Sequence, residues 1–426
     1  MTIRANDLAA CVIISIVFAQ SGFLVAATST ELSKITPADL TAGDWFGDAV
    51  AMDGNLALVG SRFNSTLTGP RYGAAYVYDV SNSNLVSKLT ATDRSHDDLF
   101  GGTVALHGNT ALISAAGDDD KGSRSGSAYL FNVQTGQQLW KLLASDGDSS
   151  DQFGISVGLD ANYAVIGANL DEQRGQRAGA AYLFDVTTGQ QLAKLFSSDI
   201  SADDDFGGAV AIDNGLAVIS SARDDVTGPQ SGSAYVFDVA AQTQLTKLVP
   251  TDGAASDLFG ISVAIDGNYA LIGAPYDDDH GQDSGSAYLF NVQTGAQIAK
   301  LTGGNGSIGS HFGSSVSLHG DLAVVGANHE VSNVPGVGSA YVFDIRTGQE
   351  LVKLTPSDGV VEDFFGRVAI ANGIAFVGAY GQDQKGQTAG AVYTYDLSAY
   401  VVPEPTTFIF VVGFWGWGNF IRLRKN

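Results

Sequence analysis

The chain predicts an all-β fold, a seven-bladed β-propeller with four antiparallel strands per blade, and three observations carry that prediction. Phe-Gly recurs at Phe46, Phe100, Phe153, Phe206, Phe259, Phe312 and Phe365, at one interval of 54 residues and then five of 53. A fixed period of this length is the mark of a repeat architecture. Each unit holds four short apolar runs, rich in β-branched and aromatic residues and too short for helices. The seventh unit lacks its fourth run, and a matching run, Glu31-Leu32-Ser33-Lys34-Ile35-Thr36, stands ahead of the first unit.

The fifth unit gives the elements in order. The run ISVAI from Ile261 is the first strand and YALIGA from Tyr269 the second, joined by Asp266-Gly267-Asn268. SAYLFNV from Ser286 is the third and AQIAKL from Ala296 the fourth, with Thr294-Gly295 at their turn. Gly and Asn reach φ > 0 cheaply, as tight hairpins require. Four antiparallel strands repeated radially make propeller blades. The run at the N-terminus completes the last blade, so one sheet is shared by both ends of the array, which spans residues 31–399, and no open joint is left.

Two repeated residues are read as architecture. The Phe is expected to pack between blades, with its Gly allowing close backbone approach. Lys34, Lys88, Lys141, Lys194, Lys247, Lys300 and Lys353 recur on every fourth strand, the outermost one, where a charge deters pairing with a foreign sheet; edge protection is the role assigned to them.

The flanks read as sorting segments. Leu8 to Ala27 is an apolar stretch after Arg4 that ends Val25-Ala26-Ala27, so residues 1–27 are read as a secretory signal peptide. The one cysteine, Cys11, lies inside it, which leaves the propeller no disulfide or thiol chemistry. At the other end Val402-Pro403-Glu404-Pro405 precedes an apolar run from Thr406 to Ile421 and the basic residues Arg422, Arg424 and Lys425. The run is short for a transmembrane segment, and the basic cluster would hold its end in the cytoplasm. In order and composition residues 402–426 resemble the PEP-CTERM sorting signal of Gram-negative bacteria. That resemblance implies export, an exosortase as partner through Pro403, Glu404, Pro405, Arg422, Arg424 and Lys425, and a place at the cell surface or outside it.

The net charge of −23 repels nucleic acid and anionic lipid, so neither is expected as a partner. Acids gather in the loops between strands two and three and in those joining blades, which lie on one face; the hairpins lie on the other. In the joining loops one Asp stands seven residues before the Phe (Asp39, Asp93, Asp146, Asp199, Asp252, Asp358, with Asn305 in copy six). A second stands two before it (Asp44, Asp98, Asp151, Asp204, Asp257, Asp363, with Ser310 in copy six). Asp at fixed loop positions stabilises turns. The competing reading is Ca²⁺, which takes six to eight oxygen ligands; its candidates are Asp118, Asp120, Asp277, Asp279 and Asp283. None has the Asp-x-Asp-x-Asp-Gly spacing, and turn chemistry is preferred.

Phe259-Gly260 followed by Gly273-Ala274-Pro275 resembles the FG-GAP repeat of integrin α-chain propellers and many bacterial surface proteins. The likeness covers all seven copies, with Gly167-Ala168-Asn169 and Ser114-Ala115-Ala116 among the variants. It implies the propeller fold and a role in adhesion or ligand binding. The family's calcium loop lies before the second strand, where this chain has only the turn Asp266-Gly267-Asn268, so that site does not carry over. A second segment, Leu130 to Lys141, resembles one repeat of the quinoprotein propellers. Those carry a docking Trp in nearly every blade; here copy two alone has one, Trp140, which argues against a quinone cofactor.

Three functions are compatible with these features: a binding module for a glycan, an extracellular matrix polymer or a protein; a glycan hydrolase working through paired carboxylates; and a structural component of the surface layer or biofilm. The long loops on one face favour the first. A specific site should break the repeat, and the deviant loops are Arg62 to Tyr72 in copy one and His329 to Val337 in copy six. Copies six, seven and one therefore form the expected ligand sector, with Arg62, Arg71 and His329 as its candidate residues.

Overall fold

The computed structural model describes residues 30–65, 71–304, 307–330 and 336–401; the signal peptide and the sorting tail lie outside them. Seven four-stranded antiparallel sheets are present among these residues, each with its strands in chain order from the inside outward except the last. In blade five the strands are Ser262–Asp266, Tyr269–Ala274, Ser286–Asn291 and Gln297–Leu301. In blade seven Phe365–Ala371, Ile374–Ala379 and Ala391–Asp396 are joined by Thr30–Ile35 as the outermost strand. There Lys34 pairs with Tyr393 and Ile35 with Val392, so the expected closure of the ring is what the structure shows. Among the described residues no helix is long and apolar enough to cross a membrane.

Seven apolar clusters hold the ring, each built from two neighbouring blades. Phe259 joins Val218, Val236 and Leu248 of blade four to Ile272 and Tyr288 of blade five, and it is fully buried. Its ring meets Tyr288 and Phe290 edge to face at 5.6 and 5.8 Å, the geometry aromatic quadrupoles favour. Its amide donates to the Ser231 carbonyl across the blade boundary, at 3.1 Å. Glycines make that approach possible. A Cβ on Gly232, at φ +85°, would stand 2.1 Å from the Phe259 oxygen, and one on Gly273 would stand 1.9 Å from the Gly313 oxygen of blade six.

The innermost strands line a central channel of about 330 Å³ with one valine from each blade, from Val50 to Val368. On the hairpin face the first turns tie neighbour to neighbour: Asp213 accepts from the Gly267 amide at 2.8 Å and Asp160 from that of Gly215 at 3.0 Å. The acidic loops lie on the opposite face.

Candidate functional site

The acidic loops resolve into two repeated arrangements, and neither needs a metal to hold its charge. The Asp two residues before each Phe is a turn residue: Asp151 accepts the Asp148 amide at 2.8 Å, Asp204 that of Ser201 at 2.6 Å and Asp257 that of Ala254 at 2.7 Å. Burial pushes the carboxyls of Asp151, Asp204, Asp257 and Asp363 up to about 6, although each keeps a backbone donor.

The other arrangement adds a second role for the lysines, which lie on the outermost strands as expected. Each outer-strand Lys pairs directly across from a third-strand Tyr, as Lys141 does with Tyr129 and Lys300 with Tyr288. The ammonium lies about 5 Å from the ring centroid, 5.3 and 5.1 Å in these two blades. In blades two to five it reaches both the Asp seven residues before the Phe, 2.7 Å for Lys141 to Asp93, and an acid of the loop between strands two and three, 2.9 Å to Asp118; Lys34 and Lys88 pair with the first alone, Asp358 and Asp39, and Lys353 with a loop acid, Glu330. The lysines of blades two to five are thus half withdrawn from the rim, bridging two loops over an aromatic ring. Burial works to lower the Lys141 pKa, but the hydrogen bonds to Asp120, Asp93 and Asp118 outweigh it and hold the ammonium charged.

These bridges also define the surroundings of the calcium candidates. Oxygens of Asp93, Asp118 and Asp120 lie within 4.8 Å of one another, and Lys141 Nζ bonds all three carboxylates. Lys300 does the same for Asp252, Asp277 and Asp279. A calcium ion there would have to displace the ammonium. Asp283 belongs to a turn, its amide donating to Asp278 at 2.7 Å.

The break in the repeat lies elsewhere, and it is aromatic. The residue before each Phe-Gly is held at positive φ, between 51° and 61° in all seven copies, where the joining loop enters the innermost strand. The residues at this position, one per blade on the face of the joining loops, are Trp45, Leu99, Gln152, Asp205, Leu258, His311 and Phe364. Left-handed backbone costs a non-glycine residue about 1 kcal/mol or more, so the repeat holds seven side chains in a fixed, strained posture. Three of the seven connect with residues at the end of the second strands to form one arc. Tyr276 meets His311 at 5.0 Å, His311 meets His329 at 4.5 Å and His329 meets Phe364 at 5.2 Å. Phe364 stacks on Tyr380 at 5.1 Å and 10°, Tyr380 meets Trp45 at 5.4 Å, and Trp45 meets Phe63 at 4.8 Å. The arc runs from blade five through six and seven into blade one, and its rings are half-buried apart from the exposed Tyr276.

Arginines back this arc. Arg62 lies over Trp45 at 5.0 Å, Arg71 over Phe63 at 5.1 Å and Arg367 over Tyr380 at 5.8 Å. Beneath them Asp48 is buried and receives Arg62 at 2.7 Å and Arg367 at 3.6 Å. On the far side of the ring the same position carries Asp205, bonded by Arg177 and Arg223. In blade one Asn64 stands in place of the loop acid and lines, with Tyr72, Lys88 and Arg94, a cavity of about 520 Å³.

Arg62, Arg71 and His329 therefore all fall on one continuous surface. The sequence reading missed its aromatic members Trp45, Phe63, Tyr276, Phe364 and Tyr380. The signal was present in the residue before Phe-Gly, which varies while the Phe-Gly after it does not. A family model, the FG-GAP repeat, matches seven stretches of the chain, residues 29–78, 84–131, 137–184, 190–237, 242–290, 296–343 and 349–395. A search of curated proteins finds no match.

Proposed function

The chain belongs to the FG-GAP repeat family, and from that premise we propose that it is an exported, surface-associated binding module that holds a glycan of the extracellular matrix along the aromatic arc. The carrying observation is the arc itself: half-buried rings from Tyr276 to Phe63, contiguous over four blades. Sugar rings present flat C–H faces that bury well against aromatic rings, while their hydroxyls need polar neighbours. Arg62, Arg71 and Arg367 supply donors at the arc, Arg62 and Arg367 while also neutralising the buried Asp48. A neutral or carboxylate-bearing polysaccharide fits this surface better than a basic partner would. The signal peptide, the sorting tail and its exosortase complete the reading, placing the propeller at the cell surface of a Gram-negative bacterium.

The test is titration of neutral and uronate-containing polysaccharides into the purified full chain and its Trp45→Ala and Tyr380→Ala variants. Each variant should weaken binding about tenfold, or about 1.4 kcal/mol. Undiminished binding by both would remove the arc from recognition, and capture of proteins but no polysaccharide would make the partner a protein. Release of shortened sugar products from a bound polysaccharide would establish the hydrolase instead.

A further inference from the structure

Of the six histidines in the chain, two meet. His311 precedes Phe312 on the face of the joining loops and His329 stands at the start of the following loop of the same blade. Their Nδ1 atoms lie 3.1 Å apart, and the Oδ1 atom of Asn328 lies 3.1 Å from His329 Nδ1. With each ring in its Nε2–H tautomer, these three atoms would present lone pairs to one point between the rings of Tyr276 and Phe364. The separation is that of two ligands on one small cation: nitrogen atoms at about 2.0–2.1 Å from Zn²⁺ in tetrahedral array stand a little over 3 Å from each other.

The chemistry of the donors agrees. Neutral imidazole suits Zn²⁺, Cu²⁺ and Ni²⁺, whereas Ca²⁺ seeks oxygen. Comparison among copies points the same way. At the position of His311 the other blades carry Trp45, Leu99, Gln152, Asp205, Leu258 and Phe364, so the fold requires no histidine there. Copy six is the one that has also exchanged both repeated loop aspartates, for Asn305 and Ser310.

We propose that His311, His329 and Asn328 form a binding site for a divalent transition-metal ion of the Zn²⁺ or Cu²⁺ type, distinct from the acidic loops. The two Nδ1 atoms are its principal ligands and the Asn328 oxygen a third, with the remaining position left to water. The site rests on blade six alone and stands whether or not a glycan occupies the arc.

Calorimetric titration of chelator-treated full chain with ZnCl₂, and separately with CaCl₂, tests it. One equivalent of Zn²⁺ should bind, with no response to Ca²⁺ at this site. His311→Ala and His329→Gln should each weaken that step by about tenfold or more. The Cu²⁺-loaded chain should show nitrogen hyperfine structure in its electron paramagnetic resonance spectrum, reduced in either variant. Circular dichroism and melting of both variants separate lost ligands from lost fold. Absence of Zn²⁺ binding by the folded chain, or equal binding by both folded variants, overturns the proposal.

Discussion

At the scale of single residues, the repeated acids divide by what touches them, and two expectations follow. Asp257 is representative of the turn acids. Its carboxyl sits at about 6 when folded against an ordinary 3.8, so the folded chain binds its proton more tightly than the unfolded one. Its contribution to stability is full below about pH 4 and is lost as pH rises through 6. Asp257→Asn keeps an oxygen for the Ala254 amide and cannot ionise. Melting temperatures measured from pH 4 to 7 should therefore favour the variant increasingly as pH rises; a constant difference between variant and parent would contradict the buried-acid account. Lys141 makes the opposite case. Removing an ammonium from three converging carboxylates leaves them unpaired, and Lys141→Met should cost about 2–3 kcal/mol, less than a fully buried pair because Asp93 and Asp120 are well exposed. Added Ca²⁺ should restore part of that loss in the variant while the parent's melting temperature ignores both Ca²⁺ and EGTA. A parent that melts earlier in EGTA would mean calcium is held there despite the lysine.

At the scale of the blade, backbone approach sets what the sequence can vary. Gly232 and Gly267 both have positive φ, 85° and 55°, yet a Cβ on the first collides with Phe259 while one on the second meets nothing within 4 Å. Gly232→Ala should destabilise by about 3 kcal/mol, combining the left-handed penalty with forced separation of two blades. Gly267→Ala should cost about 1 kcal/mol. Urea denaturation of the two variants compares them, and equal midpoints would show that blade spacing is soft. The same contrast explains what was legible in the chain. The Phe, the glycines and the alternating apolar runs obey periods imposed by the sheet, so strand order and closure could be read directly. Lys141 could not be placed, because its sequence neighbours say only that it lies on an outer strand; its partners Asp93 and Asp118 come from two other loops. Arg62 and His329 were found because they interrupt the repeat. Trp45 and Phe364 were missed because each stands beside an invariant Phe that draws the aromatic signal to itself, and the contact between them runs through Tyr380 of blade seven.

At the scale of the whole molecule, closure by Thr30–Ile35 puts the two ends of the propeller into one sheet. Ile35 is buried against Phe46, Phe376 and Val392 in the core shared by blades seven and one. Deleting residues 30–35 leaves the strand Ala391–Asp396 with an unpaired edge. The melting temperature should fall by about 5 °C or more, and size-exclusion chromatography should show association through that edge; a monomeric variant with unchanged melting would mean the strand is dispensable. The position of the seam bears also on when the chain acquires its binding surface. Trp45 and Tyr380 touch across the junction of the first and last blades, so the arc becomes continuous only when those blades meet. A growing or partly translocated chain offers at most the stretch from Tyr276 to Tyr380 carried by blades five to seven, and the event that joins the two ends completes the surface.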